Sequence, residues 1–425
     1  MEKISVSERF FLKDELARNS AVMFAATIIA GAFNYLYQVY MGRVMGPEEY
    51  GIFGALFAIF YMIGIIAQTL GTSATRFVSG FTGEGKQIGF FLTGSLKRMA
   101  LVGLLVSLIF VASSGGLASL LRLPDRKPIL ILAPILLMTW ISPISSGALR
   151  GVKRFPALGF VNISSAVFKL VFGVALVILG FGVSGALAGV AAGMLAALAI
   201  SLIFLKPYFK PNNPHEPDFR FTSFYSYSLP VMLAMFAFSV PANLDVVLAK
   251  YFFSATDAGL YTSASVLGKI IFFFPAGIYA VMFPMIAERH ARGEDTKGIL
   301  KKSLAYTAAL SGPVALAYLL FPQLVVKVFG TSYAAALPLV APYGLAMFFF
   351  SLTVIVMHYH LAIKNLGYVA LFVGLTFVEV LLLSVFNSSV QQMVEVLLAV
   401  NTLILFVSLI YTWRWKNGID NSADV

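Results

Sequence analysis

Twelve runs of roughly 20 apolar residues, parted by short polar breaks, set the pattern of this chain. At 1.5 Å rise per residue, about 20 apolar residues in a helix cross the hydrocarbon core of a bilayer. The first six runs cover residues 20–41, 51–73, 99–121, 129–149, 157–179 and 183–205. The second six cover 225–249, 259–286, 304–321, 337–363, 368–386 and 394–413. The longest polar stretch at the midpoint, 206–222 (KPYFKPNNPHEPDFRFT), is rich in Pro and Asn and reads as a linker between two halves. The pattern predicts an all-α integral membrane protein. Its expected order is a lead-in over 1–19, a six-helix lobe over 20–205, the linker 206–222, a second six-helix lobe over 223–413 and a tail over 414–425.

Composition agrees with lipid as the solvent. Of 425 residues, 59% are hydrophobic and 12% charged, with a mean hydropathy of +0.88. A water-soluble domain carries about 25% charged residues. The net charge of +11 therefore reads as cations gathered on one side of a bilayer, with no nucleic-acid partner expected. With the N-terminus inside, 22 Lys and Arg fall on the cytoplasmic side and 6 outside. That asymmetry predicts two cytoplasmic termini in a cell-membrane protein. The first nineteen residues alternate charges and have neither an apolar core nor a small-residue cleavage site, so they read as an amphipathic lead-in rather than a signal peptide. The absence of cysteine excludes disulfides, thiolate metal ligands and a Cys nucleophile.

The halves are related. A shift of 208 residues lays Met45–Phe53 over Phe253–Tyr261, matching Glu49 with Asp257 and Gly51 with Gly259. The same shift matches Ser95 with Ser303 and Pro134 with Pro342. Six helices per unit is an even number, so the copies insert with the same orientation, and a substrate site is expected at their interface.

Three motifs give a family resemblance. They are the run from Gly46 through Tyr50-Gly51 to Phe53, the run Gly71-Thr-Ser-Ala-Thr-Arg76-Phe77, and the run from Asn243 through Asp245 to Asp257-Ala-Gly259-Leu-Tyr261. On these the chain resembles the polysaccharide-type (Wzx-like) lipid flippases of the MOP superfamily. The resemblance implies two MATE/MOP-like six-helix lobes working by alternating access. The implied cargo is an undecaprenyl- or dolichyl-linked oligosaccharide carried to the outer leaflet, with membrane lipids and glycan-assembly proteins as companions. Multidrug and toxin extruders share that fold and are the competing reading.

A charge at mid-membrane costs about 2.5–3.5 kcal/mol on insertion scales, so each one needs a reason. Lys169, Asp245, Lys269 and Glu379 lie inside predicted spans. Lysines suit the phosphates of an anionic cargo as mobile point charges. Asp245 and Lys269 are within reach of an ion pair. Alternatively, Asp245, with Asn243 and Glu379, holds a coupling Na+ or H+ while Lys269 meets phosphate. Pro241 is expected to free the carbonyl of Ala237, a possible ion ligand. Lys169 and Glu379 hold nearly matching places in the two repeats; they would bridge the lobes, line a cavity or each take a polar neighbour. Gln68, Thr72 and Arg76 make one polar stripe at i, i+4, i+8, while Asn34 and Gln38 share a face among tyrosines that suits sugars. Asp245 and Lys269 correspond to Tyr37 and Tyr61 in the first half, an asymmetry that points to the second half for coupling. His358 and His360 lack the partners of a metal site. No GxxxxGK[ST] run for ATP occurs, and no long outer loop could house glycosyl transfer. The expectation is a transporter and not an enzyme, with no cofactor besides a coupling ion.

Overall fold

The computed structural model describes residues 6–81, 85–209, 222, 224, 228, 232, 239, 240, 242–273 and 275–414. Among them there are helices and turns and no strands. In lipid this is the expected outcome, because a helix satisfies every backbone N–H and C=O internally.

Among the described residues the N-terminal half holds six α-helices. They are α1 (Val6–Gly80), α2 (Gly85–Ala112), α3 (Ser114–Leu120), α4 (Lys127–Gly151), α5 (Phe155–Leu176) and α6 (Gly182–Leu205). The C-terminal half holds α7 (Leu244–Phe252), α8 (Ala255–Phe273), α9 (Ala276–Ala291), α10 (Lys297–Leu320) and α11 (Leu324–Phe329). It ends with α12 (Leu337–Ala362), α13 (Leu366–Val385) and α14 (Val390–Arg414). Eight helical stretches among the described residues are long and apolar enough to cross a bilayer, or nine with the bent pair α8–α9. Two of these stretches, Val22–Gly80 and Phe155–Phe209, have twice the needed length, and glycines break both. Gly46 (φ 71°) interrupts α1, and Gly180 and Gly182 (φ 88° and 48°) part α5 from α6. Positive φ is open to glycine because it has no Cβ. With those breaks counted, each predicted span except the seventh has its helix. Most of 225–249, with Pro241 and Ala237, lies outside the described residues, as do 210–221 of the linker and 415–425 of the tail.

Several boundaries differ from the expected ones. The second span begins at Pro47, directly after the Gly46 break, rather than at residue 51. The third begins at Gly85 rather than 99, and its expected end, 114–120, forms the separate short helix α3. Lys86, Lys97 and Arg98 suggested a loop. Hydropathy marks where lipid ends, however, and a helical backbone continues through cations into the interface. The ninth likewise starts at Lys297 instead of 304. The eighth is two helices, bent by 43° at a break that holds Pro275.

The chain gathers into two compact units, Met1–Met45 with Leu56–Ser239, and Gly46–Ala55 with Val240–Val425. In the first, α4, α5 and α6 pack through glycines. A Cβ at Gly189 would stand 2.4 Å from the Cα of Gly173, and one at Gly147 would stand 2.2 Å from the carbonyl oxygen of Gly71. Such close approach takes the place of the hydrophobic drive that lipid does not supply. Hydroxyls add interhelical bonds: Ser107 donates to Ala133 O (2.7 Å), Ser165 to Gly193 O (2.9 Å) and Thr75 to Gly147 O (3.0 Å).

In the second unit α12 is the hub, packed on α8, α10, α13 and α14. The segment Gly46–Ala55 is built into this unit by the glycine pair that the repeat equates. A Cβ at Gly51 would lie 2.7 Å from the backbone nitrogen of Gly259, and one at Gly259 would lie 1.7 Å from the carbonyl oxygen of Pro47. Tyr50, fully buried, packs against Phe329 and Tyr333 at ring separations of 5.7 and 6.2 Å.

Candidate functional site

Charged side chains buried inside each unit form the two candidate centres. In the second unit, turns at Val240, Ala242 and Asn243 precede α7, so the seventh segment is interrupted there. Asp245 is the second residue of α7, where backbone N–H groups not yet used by the helix favour a carboxylate. It is 1% exposed. Its Oδ2 accepts from Tyr343 of α12 (2.6 Å) and from Tyr261 of α8 (3.0 Å). The Tyr343 hydroxyl also lies 2.9 Å from Ser265 Oγ, and the two rings meet edge to face at 5.5 Å. Gly268 makes the room, since a Cβ there would stand 2.4 Å from the Tyr343 ring.

Glu379 on α13 is equally buried, at 1% exposed. Because α13 packs on α7, the two carboxylates act on each other electrostatically. Asn401 of α14 stands beside Glu379 and donates to Leu397 O at 3.0 Å. Among the described residues, neither oxygen of Glu379 has a hydrogen-bond partner, nor has Oδ1 of Asp245. Buried acceptors are paired in the large majority of cases, so three unpaired carboxylate oxygens in one cluster are unusual.

Lys269 Nζ donates to Asn243 Oδ1 at 3.3 Å and feels the charge of Asp245. The expected direct Asp245–Lys269 ion pair is absent among the described residues, whose ion pairs all lie elsewhere. The Asn243 amide takes the lysine instead, while two tyrosines hold Oδ2. Asn243 thus joins the turn before α7 to the C-terminal part of α8.

The first unit has the opposite sign. Lys169 of α5 is 8% exposed, donates to Asn34 Oδ1 on α1, and lies over the rings of Tyr37 (4.6 Å) and Phe57 (5.8 Å). A ring face attracts a cation, and the attraction grows once water is removed. Tyr37 donates to Ala186 O at 2.5 Å and so ties α1 to α6. Lys169 is therefore held within its own unit by Asn34, whereas Glu379 has the like charge of Asp245 beside it within the other. Gln38, one turn from Asn34, is half-buried, whereas Gln68, Thr72 and Arg76 of the polar stripe are all exposed along α1.

Tyr343, Ser265 and Asn401 were not singled out from the sequence, Tyr261 entered only as part of a motif, and Lys250 fell in the break between the predicted spans 225–249 and 259–286. Lys250 in fact lies in the last turn of α7 with 1% exposure. The polar handles of tyrosines inside apolar helices were the available signal, because a buried hydroxyl needs a partner. His360 is occupied structurally: Nε2 pairs with Thr412 Oγ1 at 2.8 Å, Nδ1 with Asn365 Nδ2 at 3.1 Å, and the ring stacks on Tyr368 at 4.1 Å. His358 stacks on Tyr279 at 4.3 Å. Among the described residues no group of three or more His, Cys, Asp or Glu could hold a metal ion.

Tyr343→Phe tests how firmly Asp245 is held. It removes a charge-assisted hydrogen bond of the kind that contributes about 1.5–3 kcal/mol. A thermal midpoint unchanged from the parent in detergent would mean that the bond contributes nothing.

The fold is that of an all-α multi-pass membrane protein with charges buried within its apolar helices. An inward-facing multidrug resistance MATE family transporter of the MOP superfamily superposes with a TM-score of 0.75 at 14% identity, covering 92% of this chain and 96% of that one. The lipid II flippase MurJ in its inward closed conformation gives 0.75 at 13% identity, covering 93% and 88%. The chain belongs to the polysaccharide biosynthesis protein family, whose model matches residues 16–290. A curated relative, the probable low-salt glycan biosynthesis flippase Agl15 of Haloferax volcanii, is 23% identical over 330 residues, 76% of this chain and 67% of that protein. The two superposed structures are thus a transporter and a flippase, and the curated relative is a probable flippase.

Proposed function

We propose that the protein flips a polyprenyl-(pyro)phosphate-linked oligosaccharide from the cytoplasmic to the outer leaflet by alternating access, driven by a Na+ or H+ gradient. The observation that carries this reading is the opposite sign of the two buried centres. Lys169, with the Asn34 amide and the Tyr37 ring, offers what a sugar phosphate needs, a desolvated cation beside amide and aromatic groups. Gln38, Gln68 and Arg76 would extend that polar path along α1. In the second unit Asp245 and Glu379 repel one another in a low-dielectric site, and a bound cation or proton relieves the repulsion. Lys269, held by Asn243, is placed to meet a phosphate or to answer a change of charge at Asp245. The family and the glycan flippase relative support an oligosaccharide cargo. The lipid-linked glycan and the glycan-assembly proteins are the partners this implies, in the cytoplasmic membrane with both termini inside.

A cation-coupled multidrug or metabolite exporter is the second reading. The carboxylate cluster favours it, since a buried pair of acids suits a cationic drug. Proteoliposomes separate the two: transfer of a lipid-linked oligosaccharide supports the flippase, and efflux of a cationic dye without such transfer supports the exporter. Within the flippase reading, Lys169→Met and Lys269→Ala should each lower transfer about tenfold or more, since removal of a charged hydrogen-bonding group leaves an anion unmatched. Insertion and yield should be unchanged. Parental transfer in both variants would remove the lysines from the mechanism.

A further inference from the structure

A pocket of about 650 Å³ lies in the second unit where α9 and α10 diverge, well inside the size range of small-ligand sites. Its wall is apolar and exposed on one side through Val281, Met285 and Tyr306. At its polar end, next to the turn that joins the two helices, stand Arg289, Asp295 and Lys302. The turn is braced from below by a buried contact of 3.2 Å between Thr296 Oγ1 and Tyr359 Oη. Met282, Ile286 and Leu300 pack into the same core as Tyr359, so the pocket floor is fixed.

The pocket's charges have little to do within the chain. Arg289 reaches Glu294 only at 3.8 Å, with both side chains half exposed, and such a pair contributes little. Lys302 has no ion pair among the described residues. Asp295 Oδ1 accepts from the Lys297 backbone N–H at 3.0 Å, which leaves Oδ2 for an outside donor. Gly277 and Gly298 line the pocket, and a Cβ on either would meet nothing within 4 Å.

We infer that this pocket binds an anionic glycerophospholipid of the adjoining leaflet, with the phosphodiester between Arg289 and Lys302, a headgroup hydroxyl donating to Asp295, and an acyl chain along Val281, Met285 and Tyr306. Two cations and one carboxylate leave one net positive charge, which matches the single negative charge of a phosphodiester. A phosphomonoester or pyrophosphate would bring more negative charge against Asp295. The site is independent of the cargo reading, because it uses none of the groups assigned there.

Native mass spectrometry of the detergent-purified full chain with phosphatidylglycerol tests the assignment. One phosphatidylglycerol should remain bound under activation that strips phosphatidylcholine. The double variant Arg289→Gln/Lys302→Gln should weaken retention about thirtyfold, since each cation near a lipid phosphate contributes about a factor of five. Gly298→Leu, which fills open space, should exclude the lipid while leaving the thermal midpoint at its parental value. Equal retention in parent and both variants would overturn the site. Displacement of phosphatidylglycerol by an equal amount of polyprenyl monophosphate would overturn the glycerolipid assignment in favour of a carrier lipid.

Discussion

Asp245→Asn should insert and fold as the parent does but lose its response to ion gradients. The exchange keeps the shape and an oxygen for Tyr343 and Tyr261 while removing the negative charge that a coupling ion would answer. One elementary charge moved through 100 mV is worth about 2.3 kcal/mol, or about fiftyfold in the distribution a coupled carrier sustains. Removing the one coupled charge should therefore erase up to that factor. The measurement is transfer in proteoliposomes with Na+, proton or no gradient imposed, for the parent, Asp245→Asn, Glu379→Gln and the pair together. Because the carboxylates act on each other, the double change should be far less than additive, as expected of two groups that share one function. If every variant still accelerates with the gradient as the parent does, coupling lies elsewhere.

Gly259→Val should be the most damaging single change outside the charged centres. Its Cβ would fall 1.7 Å from the Pro47 carbonyl oxygen, and backbone cannot turn aside as a flexible side chain does. Overpacking against movable side chains already costs about 1–3 kcal/mol, so this change should exceed that range. The expected result is little folded protein by fluorescence-detected gel filtration. Gly298→Leu is a fair control, as nothing stands within 4 Å of its added Cβ. A Gly259→Val protein with parental yield and thermal midpoint would show that α1 and α8 can part without cost.

The sequence made the span positions legible because lipid imposes one length and one polarity on each of them. It also exposed Lys169, Asp245 and Glu379, since a charge in an apolar run is visible without a structure. The 208-residue shift that matched Gly51 with Gly259 matched two residues that touch. Side-chain partners were hidden for a physical reason. A membrane helix is apolar toward lipid and toward protein alike, so periodicity does not say which face meets a neighbour. Tyr343 could not be assigned to Asp245, nor Asn34 to Lys169, and the attractive Asp245–Lys269 pairing was wrong because depth along the membrane ignores the tyrosines beside them. Helix ends were misplaced at Gly85 and Lys297, where the backbone outruns the lipid.

The ten residues Gly46–Ala55 come from the first repeat yet are part of the body formed by the second. The second repeat alone is therefore not a finished object, because its body is completed by a stretch of chain from the first. Recombination or truncation at the midpoint linker would consequently separate a lobe from ten residues it is built around.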